Sequence, residues 1–199
     1  WTSPNTFVAT ANCARYCGAS VDFVDIDPYT WCLSPEKLRQ KLESHVSEGK
    51  QLPKVVIPVH LSGQSCEMQA IYQLGQQYGF KIIEDASHAI GGSYKNAPVG
   101  NCRYSDITVF SFHPVKIITT GEGGMALTNN PEIHEHMERL RSHGITREYK
   151  HMTRKPDGPW YYEQLELGFN YRMTDIHAAL GKNQLERLDE FVERRNEIA

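Results

Sequence analysis

The chain has 199 residues, 40% hydrophobic and 23% charged, enough to bury one sizeable core. Its 21 basic and 24 acidic residues leave a net charge of -3 with no long run of one sign, which argues against nucleic acid or an anionic membrane as main partner. No apolar stretch approaches a membrane span, no signal peptide is visible, and the odd set of five cysteines lacks a CxxC pair, so a reduced, cytoplasmic setting without zinc or disulfides is expected.

Helical and extended patterns alternate along the chain, the mark of an α/β domain. Residues 7–16 read as a helix closed by Gly18, and 21–24 as a strand. Ser34 can cap a helix that has Pro35 at its first position and runs to Ser47. The β-branched run 54–59 suits a buried strand. A helix over 67–78 ends at Gly79, and 81–84 form a strand with Asp85 at its carboxyl end. Strands follow at 106–112 and 125–128, the second after a glycine-rich turn. Asn130 and Pro131 start a helix to Arg141. The polar stretch 150–159, broken by Pro156, Gly158 and Pro159, reads as a mobile loop. Thr174 caps one last helix with apolar positions Ile176, Leu180, Leu188 and Val192. The first residue is not methionine and helical period continues to Ala199, so a central piece of a longer polypeptide is expected.

Ligands of open α/β sheets collect at the carboxyl ends of strands, where Asp85, Ser111, His113 and Lys116 all fall. Lys116 lies among Val115, Ile117 and Ile118, an odd place for a solvated lysine. Burial frees such an amine to attack an aldehyde, although a stem packed on apolar groups with its ammonium in water is the plainer alternative. Asp85 beside a pyridinium would favour the charged ring; alone, it would more often cap a turn. His88 could stack on the same ring or bond to its phenolic oxygen. A metal site on Asp85 and His88 would need His60 or His113 as further ligands and is not favoured. Ser111 can offer a hydroxyl to a phosphate, and the turn at 121–124 suits tight backbone geometry. Together, lysine, carboxylate and hydroxyl are what a pyridoxal 5'-phosphate enzyme needs. Cys13 and Cys17, one helical turn apart, read as small core residues.

Thr6-Phe-Val-Ala-Thr-Ala-Asn12, Glu84-Asp-Ala-Ser-His88-Ala, Phe110-Ser-Phe-His-Pro-Val-Lys116, Gly121-Glu-Gly-Gly124, Arg141-Ser-His-Gly144 and Gly168-Phe-Asn-Tyr-Arg172 stand in one order over nearly the whole chain. In these segments the chain resembles the sugar-nucleotide aminotransferases of the DegT/DnrJ/EryC1/StrS family. The wording around His88 and Lys116 is most similar to the branch that serves pseudaminic acid synthesis. The resemblance implies the large domain of an aspartate aminotransferase-like fold (fold type I), with a mostly parallel central sheet flanked by helices. Residues 1–199 would be the central part of that domain, with an N-terminal segment and a C-terminal small domain absent. It implies Lys116 as the residue that holds pyridoxal phosphate, Asp85 on the ring nitrogen and His88 near the phenolic oxygen. It further implies Ser111 on the phosphate, Phe7 stacked on the ring, and Asn170 reaching the phosphate in a neighbouring subunit of a homodimer with shared sites. The implied reaction moves an amino group from glutamate to carbon 4 of a UDP-linked 4-keto-6-deoxy-N-acetyl sugar. Relatives that act as dehydratases carry histidine in place of the lysine, so Lys116 favours amino transfer. A dehydratase or another enzyme of the same fold, an inactive fragment, or a non-catalytic nucleotide-sugar binding module stays open as an alternative.

Overall fold

The computed structural model describes residues 1–199. Contacts divide the chain into two units, one formed by Trp1–Asn129 with Ile176–Ala199 and the other by Asn130–Asp175. The first unit opens with α1 (Ala9–Tyr16), which buries only Thr10, and α2 (Pro35–Ser47). The Ser34 hydroxyl accepts the Lys37 N–H at 3.3 Å, and Leu38 and Leu42, one turn apart, are fully buried. There follow β1 (Val55–Val56), α3 (Met68–Tyr78) and β2 (Lys81–Asp85). Gly79 closes α3 at φ 79°, a left-handed cap that glycine adopts without a Cβ penalty. Next come the hairpin of β3 (Ser93–Tyr94) and β4 (Ala97–Pro98), then β5 (Ile107–Ser111) and β6 (Gly124–Leu127).

The central sheet has the order β1-β2-β5-β6. β1 and β5 both pair with β2 in parallel, while β6 returns antiparallel to β5. Leu38 and Leu42 of α2 and Met68, Ile71 and Leu74 of α3 join Val56, Phe80 and Ile82 in one buried cluster. Each such side chain removed from water contributes about 1.5–3 kcal/mol.

The second unit holds α4 (Pro131–Arg141), capped by the Asn130 side chain on the Glu132 and Ile133 amides, and the short ladder of β7 (Ile145–Thr146) with β8 (Glu163–Gln164). Between those strands, a single 3-10 turn at Tyr149–His151 interrupts the polar loop. The chain then re-enters the first unit with α5 (Asp175–Leu185) and α6 (Leu188–Ile198).

The expected strand at 54–59 is a ladder only at Val55–Val56, continued by single bridges at Ile57 and Val59, and three further expectations fail. Residues 21–24 form no strand, only a bridge between Phe23 and Thr2. The Asp22 and Asp25 carboxylates accept the Phe23 and Ile26 amides, which draws the backbone out of a regular ladder. The last helix is two helices, because Arg187 leaves helical dihedrals at φ -109° and ψ 13°. The break lets Leu188 and Val192 pack against Gly91, where an added Cβ would stand 2.7 Å from Val192, while Ile176 stays exposed. Cys13 and Cys17 are exposed, because α1 turns little but Thr10 inward.

Candidate active site

The parallel pairing of β2 with β5 brings Asp85 and Ser111, each the last residue of its strand, to the same edge of the sheet. The Asp85 backbone is tied twice to the segment that continues β1. Its N–H donates to the Pro58 carbonyl at 2.9 Å and its C=O accepts the His60 N–H at 3.0 Å. Its carboxylate is oriented from two directions. The Thr10 hydroxyl donates to Oδ2 at 2.7 Å, and the Ser87 hydroxyl and N–H donate to Oδ1 at 2.6 and 3.2 Å. Thr10 lies in the segment from Thr6 to Asn12 but stands out only in the fold, because its partner is 75 residues away.

Lys116 sits in the loop between β5 and β6, half-buried, with its N–H on the His113 carbonyl at 3.0 Å. Neighbouring side chains hold this loop in shape. The Thr119 hydroxyl donates to the Phe112 carbonyl at 2.8 Å, and the Thr119 N–H reaches Gln184 of α5 at 2.8 Å. Of the apolar flank of Lys116, Ile118 is buried, Ile117 half-buried and Val115 exposed. The loop closes on Gly124, where a Cβ would stand 2.7 Å from the Phe110 carbonyl oxygen, so the tight turn admits no side chain.

His88 lies beyond Asp85, and its Nδ1 accepts the Ser62 N–H at 3.3 Å. Burial holds its pKa below the usual 6.5; the Lys116 ammonium pushes the same way and the Asp85 carboxylate opposes. The imidazole is therefore a neutral group near pH 7. His88 and Lys116 line one cleft of about 730 Å³, together with Ser62, Gly63, Gly92 and Arg195. The Arg195 guanidinium approaches the Lys116 carbonyl at 3.5 Å.

Asp85, His88 and Lys116 thus form one electrostatic neighbourhood. The Ser111 hydroxyl accepts the His113 N–H at 3.4 Å at the edge of this region. Phe7 is 73% exposed and precedes the helix whose Thr10 holds Asp85. Asn170 belongs to the second unit, where it is exposed and bridges Ser142. His60 is far from a free metal ligand: it is fully buried and engaged with Glu84 at 2.8 Å.

The carboxylate, the imidazole and the half-buried lysine thus lie beside the ends of the parallel strands, where open α/β sheets collect their ligands. The chain belongs to the DegT/DnrJ/EryC1/StrS aminotransferase family, whose profile matches residues 1–199. The family's aminotransferases depend on pyridoxal phosphate. The chain is 41% identical over 198 residues to UDP-4-amino-4,6-dideoxy-N-acetyl-beta-L-altrosamine transaminase of Campylobacter jejuni, covering 100% of this chain and 48% of that protein. Among solved structures, it is similar to Helicobacter pylori PseC, an aminotransferase of pseudaminic acid biosynthesis, with TM-score 0.80 and 33% identity over 94% of this chain and 46% of that one. A family aminotransferase from Brucella abortus gives TM-score 0.85 and 30% identity over 99% of this chain and 49% of that one. The chain spans about half the length of the curated relatives it matches. No helix is long and apolar enough to cross a membrane.

Proposed function

We propose that the whole protein carrying this chain is a cytoplasmic, pyridoxal phosphate-dependent aminotransferase. In this reading it moves an amino group from glutamate to carbon 4 of a UDP-linked 4-keto-6-deoxy-N-acetyl sugar. Residues 1–199 are the central part of its cofactor-binding domain. The observation that carries the reading is the sheltered Lys116 amine sharing a cleft with neutral His88, close to a carboxylate held in place by Thr10 and Ser87.

This donor set fits the cofactor. Pyridoxal phosphate offers an aldehyde for an amine, a basic ring nitrogen for a carboxylate, a phenolic oxygen for an imidazole and a phosphate for a hydroxyl. When bound, it supplies the carbonyl that takes up the amino group and the electron sink that stabilises charge on the substrate carbon. Lys116 holds the cofactor through its amine between turnovers. Released, the same amine would take a proton from the donor's α carbon as general base and deliver it as general acid to the carbon that came from the cofactor's aldehyde. Asp85 keeps the proton on the ring nitrogen, because an adjacent anion favours the charged form. The fixed orientation of its two oxygens spares reorganisation during the reaction. His88, uncharged, takes the phenolic oxygen, Ser111 donates to the phosphate, and Phe7 covers the ring face. Asn170 supplies the partner subunit's phosphate contact, so the working unit is a homodimer with shared sites.

The test is chemical. Borohydride treatment after loading with pyridoxal phosphate should leave the label on the peptide containing Lys116, and Lys116→Ala should remove it. A label on any other lysine overturns the assignment. Mixing Lys116→Ala with Asn170→Ala subunits should restore activity through one intact site per mixed dimer. No recovery after proven subunit exchange defeats the shared site.

A further inference from the structure

The residue that precedes Asp85 in β2 is buried against the opposite layer. Consecutive strand residues face opposite sides, so Glu84 points away from the cleft side of the sheet. Glu84 is 6% exposed and His60 is fully buried. A buried carboxylate costs several kcal/mol unless it is amply hydrogen-bonded. Glu84 meets that condition. His60 Nε2 donates to its Oε2 at 2.8 Å, the Thr108 hydroxyl donates to Oε1 at 2.9 Å, and the Ser105 hydroxyl donates to the same oxygen.

The other imidazole nitrogen, Nδ1, accepts the Cys66 N–H at 3.1 Å. Nδ1 therefore carries no proton, Nε2 does, and the pair is a neutral imidazole donating to a carboxylate. Burial raises the Glu84 pKa, and the bonds from His60, Ser105 and Thr108 outweigh it, so the group stays ionised.

An interior carboxylate is poor value as a source of stability, since apolar residues of like volume do as well or better. Its geometry suggests another use. His60 binds β2 twice, through its own N–H on the Asp85 carbonyl at 3.0 Å and through its ring on Glu84. Glu84 then binds Thr108 of β5, and the Ala86 N–H donates to Val109 of β5 at 2.9 Å. Three chain segments are locked around the single peptide that presents Asp85. β1 is only two residues long, but its continuation keeps pairing with β2 through the Val59–Asp85 bridge, and the His60 side chain adds a further link to Glu84.

We infer that His60 and Glu84 are positioning residues for Asp85: they hold its carboxylate where it keeps a proton on the ring nitrogen of the cofactor. The inference rests on the pyridoxal phosphate reading above. A useful site tolerates displacements of only about 0.5 Å.

The experiment uses the whole protein loaded with pyridoxal phosphate labelled at its ring nitrogen, with protonation of that nitrogen followed by NMR against pH. His60→Asn can retain the Cys66 bond but is too short to reach Glu84. His60→Gln places its amide near the former Nε2 and keeps the Glu84 bond. At a temperature well below the melting point of each variant, His60→Asn should lower the pH at which the ring nitrogen loses its proton by roughly one unit, a tenfold loss in proton affinity. His60→Gln should return that midpoint to the unsubstituted value. Thr108→Val cuts the link on the β5 side and should shift the midpoint in the same direction; it decides the matter if His60→Asn does not fold. An unchanged midpoint in the variants that fold, or a His60→Gln shift as large as that of His60→Asn, overturns the inference and leaves the cofactor assignment standing. If the unsubstituted protein takes up no cofactor at Lys116, the functional reading fails and this inference falls with it.

Discussion

Thr10→Val tests the orientation of Asp85 directly, without cofactor. Valine matches threonine in shape, so the substitution removes a hydroxyl and little else. Thr10 is 5% exposed, and its hydroxyl donates to Asp85 Oδ2 at 2.7 Å. A hydrogen bond to a charged acceptor contributes about 1.5–3 kcal/mol, against about 1 kcal/mol for a neutral one. The second contact of Thr10, with the Thr6 hydroxyl at 2.8 Å, is partly open to solvent and cheaply replaced by water. The expected loss is therefore about 2 kcal/mol in the Asp85 protein and about 1 kcal/mol in an Asp85→Asn background, a coupling of about 1 kcal/mol. With a urea m-value of about 2 kcal/mol/M, Thr10→Val should lower the unfolding midpoint by about 1 M in the first case and about half that in the second. Equilibrium urea unfolding of the four proteins of this cycle measures it. Equal midpoint shifts in both backgrounds would show that Thr10 does not act through the Asp85 charge, and the account of a carboxylate oriented by its neighbours would be wrong.

Other outcomes follow from the same geometry. Gly144 has φ +69°, and an added Cβ would stand 1.9 Å from the Glu166 carbonyl oxygen, so Gly144→Ala should cost the second unit about 3 kcal/mol; unchanged hydrogen-exchange protection in β7 and β8 would contradict this. The Glu84 pKa is lowered from 4.5, so its stabilising contribution is complete above that value and is lost as pH falls through the folded pKa. The stability gap between the unsubstituted protein and Glu84→Gln should accordingly narrow below pH 4.5, and a gap that widens in acid would reverse the sign of the argument. Asp85→Asn in the loaded enzyme should cut amino transfer by roughly two orders of magnitude, since a charge-assisted contact of a few kcal/mol is lost; steady-state rates close to normal would remove Asp85 from its assigned place.

What could be read in the sequence was local. Ser34 and Pro35 announce α2, Leu38 and Leu42 share its inner face, and the observed helix has the expected bounds. Gly79 marks the end of α3 in the same way. These signals are complete within one or two turns of chain. The break at Arg187 has no such signal, since neither glycine nor proline stands there, and only packing of Leu188 and Val192 on Gly91 makes it favourable. Cys13 and Cys17 were misplaced for a related reason. Residue type suggests burial, but exposure is decided by the face a helix turns inward, and α1 turns Thr10.

The buried network behind Asp85 depends on pairs 24 residues apart, His60 with Glu84 and Glu84 with Thr108, and no periodic pattern marks them. A partial signal was nonetheless present. Glu84 and Asp85 are adjacent carboxylates at the end of the apolar strand Lys81–Asp85. If such a strand is central in a parallel sheet, the layers packed above and below deny both faces easy access to water, and alternation sends the two carboxylates to opposite layers. One of them can serve a cleft at the strand end. The other must find buried donors or lose its charge. Two adjacent acids in a central parallel strand therefore call for a histidine or hydroxyl on each flanking strand, which is what His60 and Thr108 provide from the β1 side and from β5.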